Sequence, residues 1–288
     1  MRDIRNEIEK VNEIVTLPTI LTEIMGELNK DEAVTFKITR MVETDAALTS
    51  SILRVVNSPF YGLRHEVANV GNAITLLGHS EISRILITFF MKQQFRKLSR
   101  HQESYLERLW SHSLNTAALA TLISREFNIG LHGEEYTAAL LHDIGKIVLI
   151  QQFAPEFDSI TETMKQSGRA DVDVEKEILG MSHDEIGGML GDRWRLPPEL
   201  VEVLKFHHSP GNATHYGELT TIVRFADLMA ETLDFGIGEG KTLVPDNEDE
   251  SYILLGKMYP LAKALGQKEV LNRLSAKHVE QKSLVGMF

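Results

Sequence analysis

Leu140-Leu141-His142-Asp143-Ile144-Gly145-Lys146 places an adjacent histidine and aspartate inside an apolar segment and follows them with a glycine and a lysine. With Ala139, Leu140, Leu141, Ile144, Ile147 and Val148 around it, Asp143 is being drawn out of water. A buried carboxylate is tolerated only where a cation or hydrogen bonds compensate it. Neighbouring residues on a helix project about 100° apart. His142 and Asp143 therefore approach one metal only where the helix ends or distorts, or they serve two neighbouring metals. Gly145 permits either arrangement. Lys146 is either a neutraliser of phosphate oxygens beside such a metal or a solvated lysine at its rim, and spacing alone leaves both readings open.

Working outward, further imidazoles and carboxylates stand in comparable settings: His112 upstream, then His183, the pair His207-His208, and Asp227 downstream. Imidazole and carboxylate together suit zinc, iron or manganese. His112 lies on the inward face of a helix expected over Glu103–Arg125, with Leu109, Thr116, Leu119 and Ile123. Alone it would read as a hydrogen-bonded core residue; beside the other candidates it reads as a ligand. Ser182-His183-Asp184-Glu185 fits a capping box, which puts His183 in a first helical turn, usually an exposed place, and makes Asp184 a partner of the helix dipole. Pro197-Pro198 opens another helix that ends at His207-His208, where two rings can diverge towards different metals. Asp227 sits in the apolar run Ile222–Ala230 and needs a metal, Arg224 or a buried histidine as partner.

Composition narrows the class. The chain has 288 residues, 43% of them hydrophobic, enough to bury a substantial core. A net charge of −11 argues against broad nucleic-acid binding, because a phosphate backbone would be repelled. The absence of cysteine removes disulfides, thiolate catalysis and cysteine-ligated metals, so a metal must be held by histidine and carboxylate. The N-terminus lacks the apolar core of a signal peptide and no apolar run approaches a membrane span, which makes the cytoplasm the expected location.

Helical periodicity dominates from end to end, and no strand alternation or glycine-rich phosphate loop is visible. Helices are expected over about Asp3–Leu28 with a break at Leu17-Pro18, over Thr35–Thr44, Ala46–Val56 and Val70–Leu77, and over Glu81–Lys97 with Ser80 as its cap. Phe235–Glu250, rich in glycine and acidic residues, reads as a surface loop, and short helices follow from Ser251 onward. The fold class is all-α.

Two resemblances attach to these residues. The order His112, His142-Asp143, His183, His207-His208, Asp227 resembles the HD superfamily of metal-dependent phosphohydrolases, in the long form seen in HD-GYP phosphodiesterases. Leu17-Pro18-Thr19, Glu43–Thr49, Arg54–Gly62 with its Asn57-Ser58-Pro59-Phe60-Tyr61-Gly62, and Ala73–Gly78 resemble the HDOD family, the HD-related output domains of bacterial signalling proteins, over roughly residues 10–230. Ala46 departs from the proline common there. The resemblances imply an N-terminal helical lobe (1–100) packed on an HD-like core carrying the metal site (101–235), followed by an acidic loop and C-terminal helices (236–288).

They also imply a regulatory or sensor module with a mono- or dinuclear divalent metal held by His112, His142, Asp143, His183, His207, His208 and Asp227, and signalling proteins or a nucleotide as partners. The alternative is a phosphohydrolase acting on a nucleotide or cyclic dinucleotide. There Asp143 would bridge two metals that activate a shared water, and Lys146 would stabilise developing charge. Ser209-Pro210-Gly211 stands where HD-GYP enzymes carry Gly-Tyr-Pro, which weighs against cyclic di-GMP hydrolysis. Arg108, four residues before His112, replaces an acidic extra ligand and weighs against a third metal.

Overall fold

The computed structural model describes Glu7, Val42 and residues 46–59, 61–94, 100–131, 133–233 and 249–281. Apart from Glu7 and Val42, the helices expected over Asp3–Leu28 and Thr35–Thr44 lie outside them, as do Phe60 and nearly all of the acidic loop. Among the described residues the regular structure is helical and no strand occurs.

The first elements follow local rules. Helix α1 (Ala46–Val56) ends at Asn57, whose side-chain amide donates to Val67 O (2.9 Å) and accepts from Val67 N–H (2.7 Å), closing the loop behind it. Tyr61 in that loop donates to Glu81 Oε1 at 2.7 Å. Helix α2 (Val70–Leu77) is capped by Asn69, which accepts from Asn72 N–H, and stops at Gly78, whose φ of +83° suits a residue without a Cβ. Helix α3 (His79–Gln94) begins directly after that glycine, so Ser80 lies inside its first turn and not at the expected cap position.

Helix α4 (Arg100–Glu126) is the axis of the molecule, about 40 Å long at 1.5 Å per residue. It buries Leu106, Leu109, His112, Leu114, Leu119, Ala120 and Ile123 around its circumference. Against it pack α5 (Glu134–Leu141), α11 (Gly217–Thr232) and α14 (Gln267–Gln281). The last is fastened where the His278 ring meets Asn115 Oδ1 at 2.7 Å. Between these run α6 (Ile144–Gln152), α7 (Ala154–Ser167), α8 (Asp171–Leu179), α9 (His183–Arg193) and α10 (Pro198–Phe206). Helices α12 (Glu250–Met258) and α13 (Pro260–Leu265) complete the chain before α14. Asp249, from the acidic run, caps α12 by accepting from Ser251 N–H at 2.9 Å.

One apolar core runs from Val42 to Leu274, and no described helix is long and apolar enough to cross a membrane. The hairpin α7–α8 has no counterpart in the sequence reading, which passes from Gln151 to Ser182 without an element.

Candidate metal centre

Helix α5 stops at Leu141, His142 keeps helical backbone angles, and Asp143 leaves them (φ −95°, ψ 15°) before α6 starts at Ile144. That break is what lets adjacent side chains converge. The His142 ring is fixed from behind, because its Nδ1 lies 2.7 Å from Ala139 O and a carbonyl oxygen only accepts. Nδ1 therefore carries a proton, which leaves Nε2 turned into the centre.

There Nε2 joins the first cluster, His112, His142 and Asp227. His112 Nε2 is 3.3 Å from His142 Nε2 and 3.0 Å from Asp227 Oδ1, while His142 Nε2 is 3.5 Å from the same oxygen. Asp143 Oδ2 stands 3.5 Å from His142 Nε2 and 3.7 Å from His112 Nε2. Its other oxygen, Oδ1, faces the second cluster of His183, His207 and His208, at 3.1 Å from His183 Nε2 and 3.8 Å from His207 Nε2. One carboxylate thus joins two clusters. His207 and His208 do not diverge as expected from a helix end: both rings, 4.3 Å apart, belong to the second cluster.

His183 is fully buried, against the expectation for a first-turn residue. The cause is Gly145. A Cβ there would meet His183 O at 2.0 Å and Gly187 N at 3.0 Å, so only glycine lets α6 approach the start of α9 this closely. The capping box is present, with Glu185 accepting from Ser182 N–H at 3.0 Å, and Asp184 serves the cap by hydrogen bonding to Ser182. Glu175 on α8, itself buried, accepts from the backbone N–H of His183 and from its Nδ1–H, both at 2.7 Å. His207 is oriented likewise by Val203 O, 3.2 Å from its Nδ1. These outer contacts choose the tautomer that aims Nε2 inward, the usual arrangement behind metal-ligating histidine.

Lys146 is neither rim-solvated nor free. It is 8% exposed, with Nζ 2.9 Å from Asp143 Oδ2 and 2.8 Å from Asp171 Oδ2. Asp227 has both partners that its apolar setting demanded: Arg224 Nη1 at 2.7 Å on Oδ2, and His112 on Oδ1. Burial pushes the Asp143 and Asp227 carboxyls up, but His142, Lys146 and His183 around the first, and His112, His142 and Arg224 around the second, hold both well below the usual range. Burial lowers the Lys146 ammonium, and Asp143, Asp171 and Glu175 outweigh it to hold the charge. Burial and neighbouring imidazoles push His207 well below its ordinary value, and burial with His183 and Arg224 takes His208 to about 3. Both are neutral at pH 7, the form that ligates.

Asp171 and Glu175 were missed as members of the site, whereas Arg224 was named as an alternative partner of Asp227, and the pair is present. The first two are four residues apart on one helix, a spacing that puts both on the face towards the centre. That spacing was the available signal, hidden because the α7–α8 segment was not read as an element.

The donor set fits a metal. Asp143 Oδ1 and His207 Nε2 are buried acceptors that lack a hydrogen-bond partner, in a protein interior where such atoms are rare. Thiolate ligation is excluded by composition, and imidazole nitrogen with carboxylate oxygen suits first-row divalent ions.

The chain matches the HDOD domain family over residues 14–210 and belongs to it. The match ends before Arg224 and Asp227 on α11. A crystal structure of an HDOD domain protein of unknown function from Geobacter sulfurreducens superposes with a TM-score of 0.82 at 23% identity, covering 99% of this chain and 96% of that one. A protein from Shewanella amazonensis SB2B, named as a candidate phosphohydrolase, superposes with a TM-score of 0.71 at 20% identity over 99% and 97%. An uncharacterised Treponema pallidum protein is 22% identical over 228 residues, 78% of this chain and 44% of its own length. This chain spans less than half of the curated relatives it first matches.

Proposed function

We propose that the chain is a signalling module of the HDOD type whose histidine–aspartate centre holds one or two divalent ions (iron, manganese or zinc) and relays their presence through helix packing. The observation that carries this reading is Asp143, which gives one oxygen to each of two clusters of buried imidazole nitrogens. His112, His142 and Asp227 with Asp143 Oδ2 would hold one ion, and His183, His207 and His208 with Asp143 Oδ1 the other. A bound divalent ion supplies Lewis acidity and charge to this otherwise anionic centre. The ligands come from α4, the α5–α6 break, α9, the end of α10 and α11, so occupancy ties together helices that are far apart in sequence. Signalling proteins or a nucleotide ligand are the partners this role requires.

A metal-dependent phosphohydrolase acting on a nucleotide or cyclic dinucleotide is the second reading. It is favoured by the partial exposure of Arg224 and His208, a cationic and a hydrogen-bonding group of the kind a phosphate requires. Against it, Lys146 is already engaged by two carboxylates, so the group expected to neutralise a phosphate is occupied. The test is a panel of phosphodiesters, nucleotides and cyclic dinucleotides offered to protein loaded with iron, manganese or zinc. A rise in melting temperature on loading with no turnover is expected. Turnover that falls on Lys146→Ala while metal content is retained would replace the regulatory reading by the hydrolytic one.

A further inference from the structure

Helices α7 and α8 stop at Gly168 and Gly180, with φ of +65° and +79°, where a residue without a Cβ is unstrained. Helix α9 ends the same way on an arginine. Arg195 takes φ +54°, its N–H donating to Asp192 O at 3.1 Å while the Leu196 N–H donates to Gly191 O at 3.0 Å, the paired bonds of a Schellman ending. Glycine would suit that turn better. Among the described residues the other non-glycine with positive φ is Asn128, a residue type that tolerates it. An arginine held in such a conformation directs attention to what its side chain does.

Arg195 lines a cavity of about 480 Å³ that contains none of the ligands of the metal centre. That volume lies within the range of small-molecule sites. Its walls are the end of α9, the helix α10 and the loop that leads into α11. Leu196 and Val201 give it buried apolar surface, and Phe206 and Tyr216 give it two aromatic rings, the second 36% exposed. Both carboxylates that line it are committed. Asp192 pairs with Lys205 Nζ at 2.8 Å, and Glu202 accepts from the backbone N–H groups of Thr214, His215 (3.0 Å) and Tyr216 (2.7 Å), which fixes the loop wall. The charge left over is positive. Arg195 is exposed and its guanidinium has no hydrogen bond or ion pair among the described residues.

We propose that this groove binds a small molecule that joins a planar ring to one anionic group, with the ring against Phe206 and Tyr216 and the anion on Arg195. A guanidinium supplies the forked donors that carboxylate and phosphate oxygens accept, and aromatic side chains stack on a planar ring. A mononucleotide and an aromatic carboxylate share this chemistry. The site is distinct from the metal centre, although α10 runs from the groove directly into His207 and His208.

The test is calorimetric titration of the full chain with adenosine 5′-monophosphate and with 1-naphthoate, each beside its uncharged counterpart, adenosine and 1-naphthalenemethanol. At least one anion is expected to bind, with its counterpart about tenfold or more weaker, the scale of a hydrogen bond to a charged group. Binding of the monophosphate alone assigns the groove to nucleotides, and binding of naphthoate alone assigns it to aromatic acids. Arg195→Gly should raise the melting temperature, because glycine relieves the backbone, and yet lose the anion. Arg195→Gln, which keeps a side chain of similar length, should weaken binding about tenfold or more as well. Tyr216→Ala should weaken it through the ring. No binding of either anion, equal binding of an anion and its uncharged counterpart, binding that survives Arg195→Gly, or a melting temperature lowered by that substitution would overturn the proposal.

Discussion

Gly145 is the residue on which the geometry turns, because its missing side chain brings the backbone of His183 against α6. Gly145→Ala is expected to cost roughly 1–3 kcal/mol through overpacking and to push His183 away from Asp143. Thermal unfolding checks it: an unchanged melting temperature would mean that α9 sits further off. Glu231 on α11 supplies a prediction in pH. Burial and the Asp227 charge raise its carboxyl from the ordinary value to about 8. The folded chain keeps that proton up to about pH 8, whereas the unfolded chain loses it near the ordinary carboxylate value. Between those limits the folded state binds more protons, so the Glu231 contribution to stability falls as pH rises. Glu231→Gln removes the loss, and its melting temperature should gain on the wild type steadily from pH 5 to pH 8. A difference that is flat over this range would contradict the assignment.

Among elements, α8 matters most for what it adds behind the ligands. Glu175 selects the His183 tautomer, so Glu175→Gln is expected to weaken metal binding about ten- to a hundredfold while helical content stays at wild-type level. Undiminished metal affinity would show that His183 needs no such partner. Most elements were legible beforehand. Ala46–Val56 and Val70–Leu77 were read at their observed bounds, because Asn57, Asn69 and Gly78 are local stop and start signals that need no tertiary context. The α7–α8 hairpin was passed over, although Phe157 and Ile160 on α7 and Val174 and Leu179 on α8 are buried apolar positions. The candidate site was legible as a set of residue types. Its division into two clusters was not, because that depends on the turn at Asp143 and on Gly145 meeting His183 across the chain. The loop after α1 carries a further expectation: Tyr61→Ala loses the bond to Glu81 and part of an aromatic packed against the core, which should cost roughly 1–3 kcal/mol in a denaturant titration. No loss would mean that the ring contributes little to this joint.

At the scale of the whole molecule, the centre is the place where otherwise separate helices meet. Removing an ion would leave carboxylates and imidazoles facing one another across α4, α5, α9, α10 and α11, with Lys146 and Arg224 as the cations paired to the two aspartates. Such an arrangement suits a module whose packing reports occupancy, and it places the controlling charge on a single residue. Asp143 is that residue, since it alone faces both clusters. The most direct measurement is therefore the metal content of wild-type and Asp143→Asn protein, produced without chelator or metal-affinity columns and checked for equal helicity. Between one and two equivalents of a first-row divalent metal are predicted for the wild type, with both clusters emptied in the variant. A wild-type chain free of metal, whose stability does not change on adding iron, manganese or zinc, would contradict the account.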